Sequence, residues 1–118
     1  MKDEQVATLF TGMMNLTSLK SIVIKHNEFM DESEKALEAL LDREYPRNLE
    51  ELRLVSCKTS PKVVNKLVRR LSEGCQLKRL SLVQMQFADT NFPLVQQMLN
   101  QSPFLLELDL SWNQLKPL

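Results

Sequence analysis

The chain has 118 residues, 15 Lys and Arg against 15 Asp and Glu, 43% hydrophobic residues and only 6% aromatic ones. That is enough apolar material for one small aliphatic core, and the zero formal charge leaves no global field to gather nucleic acid or anionic lipid. Two glycines and five prolines exclude a collagen-like or low-complexity chain, and no run approaches the length of an apolar membrane span.

In chain order, MKDEQVATLF carries acids early and lacks a long apolar core, so it does not read as a signal peptide. Residues 3–13 place Val6, Leu9 and Met13 at helical spacing. Leu19-x-x-Ile22-x-Ile24-x-x-Asn27-x-Phe29 then alternates apolar and polar residues, as a short strand does. Residues 31–44 open with Asp31 and have Glu34 three positions on, a capping-box pattern, and Leu37, Leu40 and Leu41 share one face. Leu49-x-x-Leu52-x-Leu54-x-x-Cys57-x-Thr59 repeats the strand pattern. Ser60-Pro61 is a cap followed by proline at the first helical position; Val64, Leu67, Val68 and Leu71 form the stripe, and Gly74 suits the stop. Leu77-x-x-Leu80-x-Leu82-x-x-Met85-x-Phe87 is the third strand pattern. Residues 89–101 follow with Phe92, Val95, Met98 and Leu99, and Pro93 is tolerable there only in a first turn. Helices are expected near 3–13, 33–44, 61–73 and 91–101, and strands centred near 23, 53, 81 and 109.

The fourth strand pattern, LLELDLSWNQL, sets Leu105, Leu108, Leu110, Asn113 and Leu115 on L-x-x-L-x-L-x-x-N-x-L. The second leucine positions of the four copies are 22, 52, 80 and 108, at intervals of 30, 28 and 28 residues. Val6, Leu9 and Met13 precede Leu19 by the same offsets at which Val64, Leu67 and Leu71 precede Leu77, and Phe92, Val95 and Leu99 precede Leu105. Residues 3–13 therefore read as the helix half of a unit whose strand is missing. The last strand lacks a following helix, so the array is expected to be cut at both ends of a longer chain. Leu52, Leu54, Leu67, Leu80, Leu82 and Leu108 are expected in the core, with Cys57 among them.

This pattern resembles the leucine-rich repeats, and a period of 28–30 with full helices resembles their ribonuclease-inhibitor-like subclass. The resemblance implies an α/β fold: a right-handed solenoid, a horseshoe segment of about four repeats in one domain spanning 1–118. It implies a four-stranded parallel sheet with helices outside. The Gly-rich turn usual at the entry to each helix is absent, which makes this a divergent member. In the family the asparagine of each core bonds backbone groups where the strand turns. Asn27 and Asn113 fit. Cys57 is small with a weak donor, and Met85 cannot donate, so the turn at 84–87 is expected to lose a bond of about 0.5–1.5 kcal/mol.

Chemistry is sparse. Cys57 and Cys75 belong to no C-x-x-C, and one histidine cannot complete a zinc set, so no metal or cofactor is expected. The thiols are expected free, which with the lack of a signal peptide points to an intracellular, cytoplasmic protein. Asn15-Leu16-Thr17 and Asn100-Gln101-Ser102 are formal glycosylation sequons, read as chance in that setting. No phosphate-binding glycine loop, H-E-x-x-H or G-x-S-x-G occurs. His26 would need a nucleophile and an acid nearby, and its column holds only Ser56, Gln84 and Trp112. Lys58, Lys62, Lys66, Arg69 and Arg70 read as the solvated outer face of a helix.

The variable core positions stack into columns on the concave face. Ser21, Glu51, Arg79 and Glu107 make an alternating ladder whose members can satisfy one another. Lys25, Val55, Val83 and Ser111 make a second column. Trp112 is either an anchor beside the valines or a lid over the open end of the core. Together with what the resemblance implies, these placements point to a non-catalytic protein-interaction module, with Arg53, Val55, Arg79, Val83, Asp109 and Trp112 as partner-binding residues. The partner is a protein; neither membrane nor nucleic acid is expected. The alternatives are an architectural segment of a large intracellular assembly, or a regulator of a GTPase-type switch using Arg53 or Arg79.

Overall fold

The structure is a computed structural model. It describes residues 1–16, 18–42, 49–73 and 76–113. The expectations that fall on Thr17, residues 43 and 44, Gly74, Cys75 and Leu115 lie outside them.

Among the described residues four helices alternate with four strands: α1 Asp3–Met13, β1 Ser21–Lys25, α2 Asp31–Leu40, β2 Glu51–Val55, α3 Pro61–Ser72, β3 Arg79–Val83, α4 Phe92–Gln101 and β4 Glu107–Asp109. The strands form one sheet in the order β1-β2-β3-β4, all parallel. The register pairs Ile22, Leu52, Leu80 and Leu108 across the sheet, the same positions that anchor the sequence repeat. Each junction before a strand is built alike. The Lys20 carbonyl accepts from the amides of Glu50 and Glu51, that of Glu50 from Lys78 and Arg79, and that of Lys78 from Leu106 and Glu107.

The alternation in the strands decides which face is covered. Ile22, Ile24, Leu52, Leu54, Leu80 and Leu82 are buried together with Val6, Phe10, Leu37, Leu67 and Val95 of the helices, and Cys57 joins them as a free thiol. Leu108, expected in this core, is only partly buried, because no described strand lies on the far side of β4.

The helix starts follow local chemistry with one exception. Ser60 Oγ accepts from the Val63 amide at 3.4 Å and Pro61 opens α3. A short 3-10 turn, Asp89–Asn91, leads into α4. There Asn91 Oδ1 takes the Ala88 amide at 2.9 Å, while its amide reaches Asn65 Oδ1 at 3.2 Å and ties α4 to α3. The exception is α2. The expected Asp31–Glu34 capping box does not form: Met30 is the N-cap, with no side-chain cap of its own. Asp3 of α1 serves instead. Its carboxylate accepts from the amides of Met30 (2.8 Å), Glu32 (3.0 Å) and Ser33 (3.1 Å) and from the Ser33 hydroxyl. Burial alone would raise the Asp3 pKa, but the Ser33 hydroxyl and those three amides together hold it below the usual carboxylate range. The displaced Glu34 is only 3% exposed, and its Oε1 is buried without a partner.

Candidate interaction surface

One face of the sheet carries Arg53, Val55, Arg79, Val83 and Asp109, and Trp112 follows three residues past the end of β4. The column Ser21–Glu51–Arg79–Glu107 is in register. The Ser21 hydroxyl donates to Glu51 Oε1 at 2.7 Å, and Arg79 Nε lies 3.6 Å from Glu107 Oε1. These groups largely satisfy one another, as exposed pairs of modest worth do.

The next column is Val23–Arg53–Ser81–Asp109. Ser81 is buried between its column neighbours. Asp109 accepts from the Ser111 amide at 3.0 Å and from its hydroxyl. Those two bonds, with a smaller pull from Arg53, lower the Asp109 pKa. Arg53 differs from Arg79: its Nε is buried without an acceptor, and it makes no ion pair among the described residues. In the third column Val55 and Val83 are half-buried beside exposed Lys25.

Beyond the strand ends the chain turns sharply. His26, Ser56, Gln84 and Trp112 all take positive φ, at 58°, 53°, 52° and 60°. None is glycine, and each such residue costs on the order of 1 kcal/mol. The turn recovers a bond at each step. The amides of His26, Ser56 and Gln84 donate to the carbonyls of Val55, Val83 and Ser111, which extends the sheet by one rung. Ser56 Oγ donates to Gln84 Oε1 at 2.7 Å and so is turned away from His26. Gln86 repeats the positive φ at 60° and donates to the Thr59 carbonyl at 3.1 Å.

The expected loss at 84–87 does not occur, because the asparagine serves the preceding turn and not its own alone. Asn113 Oδ1 accepts from the amides of Met85 (2.8 Å) and Phe87 (3.0 Å), and its amide donates to Leu82 and Leu110. Cys57 Sγ makes the weaker version of this link, 3.6 Å to the Ile24 carbonyl. Burial first of all pushes the Cys57 thiol pKa up, which suits an inert sulfur.

Trp112 is 84% exposed, so it does not cover the core. It borders a groove of about 570 Å³ lined by Ser56, Lys58, Gln84, Gln86 and Asn113, with Cys57 at its base. The sequence reading set Gln84 in the His26 column and Lys58 with the basic residues of α3 but did not bring them together, and it missed Gln86. The signal available for them was their place one and three residues past each strand, where the turn presents side chains. The basic residues of α3 are less free than expected. Lys66 pairs with Asp31 at 3.1 Å, and Arg70 donates to the Leu41 carbonyl at 2.7 Å.

Comparison with protein-family models, with curated proteins and with solved structures gives no match for this chain. What can be assigned is a four-stranded parallel α/β fold with an open sheet face; among the described residues no helix is long and apolar enough to cross a membrane.

Proposed function

We propose that this chain is a segment of a right-handed leucine-rich-repeat solenoid of the ribonuclease-inhibitor-like kind, and that its open sheet face holds a partner protein without catalysis. The identical bifurcated junctions and the recurring positive-φ residue support the solenoid, since each unit meets the next in the same way. The observation that carries the function is Trp112. A tryptophan standing 84% exposed on the rim of the groove it shares with Lys58, Gln84 and Gln86 is the residue type most concentrated at interface hot spots. The acids, bases and valines of the sheet columns supply orientation and apolar area, and the reading is by analogy of fold as well as by site.

The test is a partner recovered with the full-length protein. Trp112→Ala should weaken it by about 2 kcal/mol or more, with unchanged circular dichroism. If charge reversals at Lys62, Lys66 and Arg69 abolish binding while Trp112→Ala is silent, the open-face reading fails. The second reading, an architectural segment of a larger intracellular assembly, then leads. It draws on exposed Phe92, Leu99, Phe104 and Leu106, all on the β4 side of the molecule. Regulation of a GTPase-type switch has less support, because Arg79 is already paired with Glu107.

A further inference from the structure

Lys25 at the end of β1, Arg53 in the middle of β2 and Arg79 at the start of β3 lie on one diagonal of the open face. Strands ~4.8 Å apart and a two-residue rise of ~6.6 Å put successive cations ~8 Å apart at Cα. An extended peptide repeats its same-side residues every ~6.6 Å, and long cationic side chains span the difference. The three cations are not equivalent. Arg79 has Glu107, whereas Lys25 and Arg53 have no ion pair among the described residues. Arg53 alone also holds an N–H buried without an acceptor, an arrangement that costs free energy until an acceptor arrives. Val23, Val55 and Val83 beside it reduce competition from water.

We infer that this diagonal binds an extended acidic peptide segment whose alternate carboxylates meet Lys25, Arg53 and Arg79, with Arg53 as the anchor. A planar guanidinium takes a carboxylate through two parallel N–H bonds. The competing ligand is a polyphosphate backbone, whose charges would meet the same interleaved acids, Glu51, Glu107 and Asp109. The inference rests on the reading of the open face as a binding surface and deepens it by naming the ligand chemistry.

The probe is an acetylated, amidated (Glu-Val)4 peptide, titrated into the isotopically labelled 118-residue chain and followed by NMR at the arginine Nε–Hε signals. The Arg53 signal should move in a saturable way and lose its response in high salt, with smaller movement at Arg79. A (Gln-Val)4 peptide should leave it in place. Arg53→Gln should weaken peptide binding at least tenfold and Arg79→Gln less than threefold, with unchanged amide spectra elsewhere. Arg53→Lys, which keeps the charge and loses the fork, should fall between wild type and Arg53→Gln. An Arg53 signal indifferent to (Glu-Val)4, or equally responsive to (Gln-Val)4, overturns the inference. So does a stronger response to a 12-nucleotide single-stranded DNA, which would make the site one for phosphate. If the recovered partner is weakened by Trp112→Ala but not by Arg53→Gln, the surface reading stands and this inference fails. If neither substitution matters, both fall.

Discussion

The two edges of the sheet have the same repeated strand and opposite surroundings. At the β1 edge, Ile22 is 2% exposed although among the described residues its strand pairs only with β2. Helix α1 packs over that end: Phe10 meets Phe29 edge-on with ring centres 6.4 Å apart, and Asp3 crosses to hold the start of α2. The backbone of Met1 accepts the Glu28 amide, and the Met1 amino group binds the Asn27 side chain. At the β4 edge the strand has only three residues, Leu105, Leu108 and Leu110 are partly buried, and Leu106 is 71% exposed. A leucine pattern is thus not a burial pattern. The same positions become core only where a helix and a capping side chain complete the wall around them.

The sharpest way to break this contrast is to remove one leucine from each strand. Leu80→Ala, in a position closed on both sides, should cost about 2–5 kcal/mol. Leu108→Ala should cost less than half as much, since the partly buried site gives up less apolar contact and its gap opens to water. Denaturant melts of the two variants decide it; equal losses would mean that β4 is as enclosed as β3.

The sealed side buries a carboxyl as well as leucines. Burial raises the Glu34 pKa to about 7, helped by repulsion from Glu38 and Asp31 and a hydrogen bond with Glu38, and opposed by Lys66. A carboxyl raised in the folded state favours folding most while protonated. Its contribution is complete below the unfolded value near 4.5 and is lost as pH rises through about 7. Glu34→Gln should therefore flatten a decline in stability between pH 5 and 8, on the order of 2–3 kcal/mol at most. A wild-type curve already flat across that window would place Glu34 in solvent.

Asp3 works in the opposite direction, and its effect is smaller. Its lowered pKa gives stability that is present above the unfolded carboxylate pKa and is lost as pH falls through the folded value. Asp3→Ala should cost about 1 kcal/mol, as lost N-caps do, and should speed amide exchange at Met30, Glu32 and Ser33 in particular. Uniform exchange across α2 would show that the start of that helix holds without the cross-link.

How much of this was legible depends on whether a contact is local. The strand centres, their register and the columns follow from the 28–30-residue period, because parallel pairing of equivalent units admits one alignment. Ser60-Pro61 announced α3, since cap and helix are sequence neighbours. The Asp3 cap was not legible: Asp31 and Glu34 offered a competing local pattern, and a residue about 30 positions away took the bonds. The Met85 turn was misread for the same reason, since its acceptor is Asn113 in the following unit. On the open face the sequence named the right columns but could not separate Arg53 from Arg79. That distinction depends on which acid each side chain reaches.

The smallest expected effect tests the turn that both edges share. His26, on the sealed side, and Trp112, on the open side, hold nearly the same positive φ, 58° and 60°. If the repeat geometry and not local packing imposes that angle, relief should depend on backbone freedom alone. His26→Gly removes the steric penalty of the left-handed region, roughly 1 kcal/mol, and adds about 0.5–1 kcal/mol of unfolded-chain entropy. The net change should be within about 0.5 kcal/mol of zero, as the two terms oppose each other. His26→Val keeps a side chain and makes it β-branched, the worst kind for this region, so it should be destabilised by about 1 kcal/mol or more. The His26 amide donates to Val55 in either variant, so the sheet bond is not the variable. Equal stability of the Gly and Val variants would show that φ at 26 is free to relax. The recurring turn would then be a consequence of neighbouring packing and not a fixed joint of the repeat.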